Sequence, residues 1–264
     1  MKGRICRTVC LVLCALCIVG DVAFGIYTRM SQTDYGSSPD SMASLPYLVL
    51  PVSQEAWRSD IEGQNLSELV ERTKQADVIV RASLEGDKEF GYQAIVSSLR
   101  VSEVYRGDVR AGDTVTLIEP YGLHALSDAE VTALQDGMQS QYRQLLELSD
   151  ADSADDIHLL QPTGEPYVSG GALPLTPSRE YVLFLNDADA HLVRGEDTAA
   201  FDYVPTPFAC MPVQDAVEVW QESGYVAGGD MERLTFVASD EATRDTYVQV
   251  ASELRAYAEA QPMA

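Results

Sequence analysis

The densest set of potential metal ligands in the chain is Asp150, Asp152, Asp155 and Asp156. Calcium prefers oxygen ligands held by one short loop. An EF-hand loop beginning at Asp150 needs an oxygen ligand at its fifth position, glycine at its sixth and glutamate at its twelfth. The chain has Ala154, Asp155 and Gln161 there. Residues 150–156 therefore read as a solvated acidic loop, with a calcium-dependent structural element as an alternative.

Other chemistry-bearing residues are dispersed. His124, His158 and His191 show no HxH, HxxxH or HExxH spacing, so a zinc site needs tertiary assembly. Ser169 precedes Gly170 and Gly171 without a G-x-S-x-G elbow, and the segment reads as a turn. Neither Gly170-Gly171 nor Gly228-Gly229 has the spacing or the following lysine of a phosphate loop. Cys210, between Ala209 and Met211, has no local base or cation to activate it and reads as a small buried hydrophobe. Asn65-Leu66-Ser67 matches a glycosylation sequon, but Asn65 has a simpler use as a helix cap. No residue is assigned a catalytic, cofactor-binding or metal-binding role, and no cofactor is expected.

Charge and cysteine placement bound the function classes. The 264 residues carry 18 Lys and Arg against 41 Asp and Glu, a net −23. Such a surface repels phosphate backbones and anionic headgroups, which excludes nucleic acid and favours basic or cationic partners. An acidic surface also keeps an exported protein soluble. Four of the five cysteines, Cys6, Cys10, Cys14 and Cys17, sit in the first hydrophobic segment as apolar filler. Only Cys210 follows, so the body can form no internal disulfide.

That first segment is a leader. Lys2, Arg4 and Arg7 precede the uninterrupted apolar run 9–19. As a helix this run spans about 16 Å, roughly half a hydrocarbon core and the right length for a signal-peptide h-region. Ala23 and Gly25 supply small residues for cleavage before Ile26. Retention as an anchor over 9–27, with Asp21 near one interface, is the alternative. A lipoprotein fits poorly, because Ile5, Val9, Leu13 and Leu16 precede the cysteines. Either way the basic residues place the body outside the cytoplasm. Residues 1–29 are the signal or anchor segment, 30–60 a linker rich in Ser, Asp and Pro, and 61–264 the folded domain.

Within the body, Asn65 and Glu68 form a capping box for a helix over 66–75. Residues 78–84 alternate as a strand, and 85–91 form a hairpin-like connection. A long strand over 92–105 breaks its alternation at Ser97-Ser98, which suggests a bulge or a strand bent around a barrel corner. Residues 114–119 form the next strand, ended by Pro120. A second capping box, Ser127 and Glu130, opens an amphipathic helix over 127–149. Residues 181–185 are nearly all apolar and read as a strand covered on both faces. Short strands follow over 201–204 and 234–237; 213–220 fits strand and helix spacing and leans to strand. A helix over 240–260 presents Tyr247, Val250, Ala251, Leu254, Tyr257 and Ala258 on one docking face.

The segments LSELVERTKQADVIVRASLEG, SSLRVSEVYRGDVRAGDTVTLIE and LPLTPSREYVLFLND resemble a loose group of exported bacterial envelope proteins with a netrin and tissue-inhibitor type of OB barrel. The matching positions are 76–80, 101–108, 112–115 and 181–185. They carry turn and core signals rather than site signals, so the resemblance speaks to fold. The protease-inhibitor role is not implied, because it needs an N-terminal cysteine held by disulfides. The expected architecture is α+β: an antiparallel OB-like β-barrel of about five or six strands, a helical insert near 127–149 and a C-terminal helix. The expected function is a non-enzymatic binding or interaction module of the cell envelope, taking a protein or cationic ligand and touching membrane only through its N-terminal segment. A carboxylate-dependent hydrolase outside the cytoplasm is the alternative from another class.

Overall fold

The computed structural model describes residues 47–49, 65–90, 94–125, 158–163, 173–177, 179–188, 199–213, 218–219, 224–226, 234 and 236–261. All lie in the unit Pro39–Ala264. The leader 1–29, the helix expected over 127–149 and the acidic stretch 150–156 lie outside the described residues, as do Ser169 to Gly171, Gly228, Gly229 and His191.

Two helices are described. Helix α1 is Leu66–Lys74, and both halves of its capping box form. The Asn65 side chain accepts from the Glu68 N–H, and the Glu68 carboxylate accepts from the Asn65 N–H, each at 3.2 Å. Helix α2 is Glu241–Glu259, with the Asp240 carboxylate accepting the Thr243 N–H at its start. The strands are β1 Tyr47–Val49, β2 Val78–Leu84, β3 Glu89–Phe90, β4 Ile95–Arg106, β5 Thr114–Glu119, β6 Tyr121–Ala125, β7 His158–Pro162, β8 Glu180–Asp187, β9 Ala200–Tyr203, β10 Cys210–Pro212, β11 Glu218–Val219, β12 Gly224–Val226 and β13 Val237–Ala238.

Five strands close a barrel in the order β8-β2-β4-β5-β9, with β9 returning to β8. Counted along the chain, this ring runs first, second, third, fifth, fourth, the Greek-key order of an OB barrel. The protein is thus an α+β barrel. The ring is antiparallel except at one pair, β5 and β9, which run parallel. Joining the third strand to the fifth requires a long crossover, which sequence alternation does not reveal. Beyond the ring, β10 extends β8, while β6 and β7 pair with β1 and β12 in a four-stranded sheet. Strand β1 falls inside the expected linker 30–60 and buries Tyr47 against Tyr121, ring centroids 5.9 Å apart. The linker reading is corrected there, because a three-residue strand has too little alternation to be seen. Within 213–220, Glu218–Val219 is described as strand β11, while 214–217 and 220 lie outside the described residues.

The pleat divides the core in two. Val80, Ala82, Leu99, Val101, Val115, Leu117, Leu183 and Leu185 fill the barrel interior. On the outer side, Ile79, Val182, Phe184 and Met211 meet Leu69, Val70, Tyr247, Val250 and Leu254 of the two helices. The β8 run is apolar because it serves both layers. Phe236 joins strand to helix, its ring nearly parallel to Tyr247 with centroids 3.7 Å apart.

The bulge expected at Ser97-Ser98 is absent. Ser97 pairs with Leu117 and Ser98 with Thr116 in an unbroken ladder. The alternation breaks because a polar residue, Ser97, points into the core. The register shifts lie instead where β2 pairs β4, between Ile79 and Val80 and between Arg81 and Ala82. They leave Tyr105 and Ser102 as the extra residues of β4.

The turn after β4 depends on Gly107, whose φ is +110°. A Cβ there would lie 2.7 Å from Val78 Cγ2 and 3.1 Å from the Val78 Cα. Gly112 also has positive φ, at +93°, but nothing within 4 Å of an added Cβ. Gly107→Ala is therefore expected to cost about 2–4 kcal/mol, from backbone strain plus overpacking. Gly112→Ala carries the strain alone, about 1–2 kcal/mol. Urea unfolding of both variants checks the order, and equal losses would contradict the close approach to Val78.

Candidate functional site

A groove of about 320 Å³ crosses the outer face of the sheet beneath α2. Its floor is a row across four adjacent strands: Val213 after β10, Val182 of β8, Arg81 of β2 and Tyr105 of β4. Its wall is Ser252, Arg255, Ala256 and Glu259, whose three- and four-residue spacing puts them on one face of α2. The bulge at Tyr105 brings its ring to this side of the barrel.

The groove is electrically mixed. The Arg81 guanidinium donates to Glu180 at 2.6 Å and lies 4.0 Å from Glu103. Ser102 donates to the other Glu180 oxygen at 2.5 Å, and Tyr105 donates to Glu103 at 3.1 Å. The Ser102 hydroxyl, then the Arg81 cation, hold Glu180 below the usual carboxylate range. Its bond to Glu180 holds Arg81 above its ordinary value, and burial with the Glu103 bond pushes Tyr105 up to about 12. Arg255 donates to the carbonyls of Pro212 and Val213 at 3.1 and 3.4 Å, tying α2 to the end of β10. The Arg81 Nε is buried without a hydrogen-bond partner among the described residues. Arg81, Tyr105 and Glu259 can offer hydrogen bonds to a bound chain above an apolar floor of Val182 and Val213.

A second polar cluster closes one end of the barrel interior. Glu119 ends β5 and points inward, wholly buried. Lys88, from the connection after β2, reaches its Oε1 at 2.5 Å, and the Lys88 side chain is 3 % exposed. The Ser97 hydroxyl donates to the same oxygen, and the Leu175 N–H donates to Oε2 at 2.8 Å. Burial pushes the Lys88 amine below its ordinary value. Burial likewise pushes the neighbouring Cys210 thiol up to about 12 and raises the Tyr121 and Tyr203 phenols. The Tyr203 hydroxyl lies toward that thiol but makes no hydrogen bond of normal geometry among the described residues.

No family model matches the chain, and no curated protein matches it.

The sequence singled out none of these groove residues as a site, and they span positions 81 to 259. The readable signal was the 252, 255, 256, 259 spacing beside the docking face of the last helix. His124 and His158 stand on successive rungs of the β6–β7 ladder rather than on one rung. Among the described residues no three His, Cys, Asp or Glu converge as metal ligands, and no helix is long and apolar enough to cross a membrane. Cys210 is buried, in the place its neighbours implied.

Proposed function

We propose that this protein is an exported interaction module of the cell envelope that docks a protein partner and performs no catalysis. The observation that carries the reading is the groove between α2 and the sheet formed by β4, β2, β8 and the end of β10, set above an interior already filled with side chains. Enzymes bring reactive groups together in a concave site. This groove places one carboxylate, Glu259, in its lining, while Glu103 and Glu180 are engaged by Tyr105, Ser102 and Arg81. The outer face of β4 and β5 presents Val96, Ser98, Arg100, Thr114 and Ile118, with no aromatic platform for stacked bases. With a net charge of −23, this supports a partner other than nucleic acid. The same charge steers basic partners toward the surface, and the groove supplies apolar contact and hydrogen bonds once they arrive. The basic-then-apolar leader supports an extracytoplasmic site of action.

A photo-reactive amino acid placed at Ser252, and separately at the exposed Ser98, farther along β4 and outside the groove lining, tests the docking surface in intact cells. A discrete protein adduct is expected from Ser252 and not from Ser98, and an excess of unlabelled protein should suppress it. Equal labelling at both positions, or none, would count against the groove.

A further inference from the structure

We infer that Lys88 and Glu119 join in an intramolecular isopeptide bond, a covalent strut across the end of the barrel. The two side chains meet at 2.5 Å between Nζ and Oε1, at 3 % and 0 % exposure. They come from the β2–β4 connection and the end of β5, 31 residues apart in sequence. Leu175 and Cys210 of the barrel core lie beside them. Two charges in such a place carry a large desolvation cost. Burial also moves Lys88 toward its neutral, nucleophilic form.

The bond-forming step uses only groups already in contact. One proton passes from the Lys88 ammonium to Glu119 Oε1, and the neutral amine attacks the Glu119 Cδ. Negative charge then develops on Oε2, which faces the Leu175 N–H at 2.8 Å in the manner of an oxyanion hole. The Nζ–Cδ bond forms, the Cδ–Oε1 bond breaks, and Oε1 leaves as water with two protons that began on nitrogen. The Ser97 hydroxyl, bonded to Oε1, can relay the second of these. Nothing is oxidised or reduced, and no co-reactant is needed. Condensation is unfavourable between free groups in water. Held in contact, the same groups gain effective molarities of roughly 10⁵–10⁸ M, and a closed site denies water the reverse reaction. An exported body with Cys210 as its one cysteine has no internal disulfide, and an amide would supply a covalent tie instead.

Tryptic mapping of the full-length protein, purified folded and then denatured, decides the matter. The expected species is a branched peptide joining residues 82–100 to 111–143, lighter by one water, about 18 Da, than the sum of its parts. Lys88 would resist both trypsin and amine acetylation in that species. Free peptides 82–88 and 89–100 as the dominant products would overturn the inference. The Lys88→Ala variant must lose the branched species. Its persistence in that variant would assign the link to a group other than the Lys88 amine and overturn the inference equally. The decisive reading comes from the unaltered protein, so it does not depend on whether the variant folds.

Discussion

Glu119→Ala is expected to lower the unfolding free energy by about 3–5 kcal/mol for loss of the ion pair, because it leaves a charged partner buried and unpaired, and by more where the amide has formed. The loss is compound. The carboxylate accepts from Lys88, from Ser97 and from the Leu175 N–H, so three buried donors lose their acceptor together. It also disconnects three segments: the β2–β4 connection, the end of β5 and the stretch leading into β8. Adding Lys88→Met to Glu119→Ala removes the stranded ammonium while keeping most of its volume, so the double variant should be more stable than Glu119→Ala alone. Both variants lack any covalent link between these positions, which makes the comparison one of charge burial. Urea unfolding gives the cycle. Further destabilisation by Lys88→Met would show that the amine is not left stranded when the carboxylate is removed.

The second large effect belongs to the outer core layer. Phe236 is fully buried and stacks on Tyr247 of α2 with rings inclined by 14°. Tyr247 packs on its other contact with Phe208, centroids 5.9 Å apart. The stack joins α2 to the segments leading to β10 and β13, so it holds the groove wall over its floor. Phe236→Ala should cost about 3–5 kcal/mol, the transfer loss plus the cavity. Phe236→Leu keeps most of the volume and should cost under about 1.5 kcal/mol. Hydrogen exchange of the α2 amides should rise in the alanine variant more than in β2 and β4. A stable alanine variant with unchanged α2 protection would mean that the helix is held by other contacts.

Much of the barrel was legible in local pattern. Val78–Leu84 and Thr114–Glu119 are apolar, β-branched runs bounded by turn residues, and Asn65 with Glu68 announces the first helix. Tyr181 to Leu185 could be read as covered on both faces because interior and helix-facing residues are equally apolar. What escaped depends on distant pairing. Strand β1 is too short to show a period, and the parallel β5–β9 pair is set by topology rather than composition. Ser97 misled for a specific reason: a hydroxyl inside a strand looks like a bulge until the buried Glu119 that receives it is known. Lys88, in the polar run Glu85-Gly86-Asp87-Lys88-Glu89, and Glu119, just before Pro120, both resemble ordinary surface charges in sequence. The groove residues Arg81 and Arg255 carry no local signal either, because their meaning lies in the crossing of strand and helix.

Where this acidic barrel acts fixes the partners it can meet. Fractionation of the native cells, followed by terminal sequencing of the isolated protein, tests this most directly. The protein should appear outside the cytoplasm, either starting at Ile26 or intact and membrane-held by its first segment. Recovery of the intact chain from the soluble cytosol, absent from the envelope and the medium, would contradict the account.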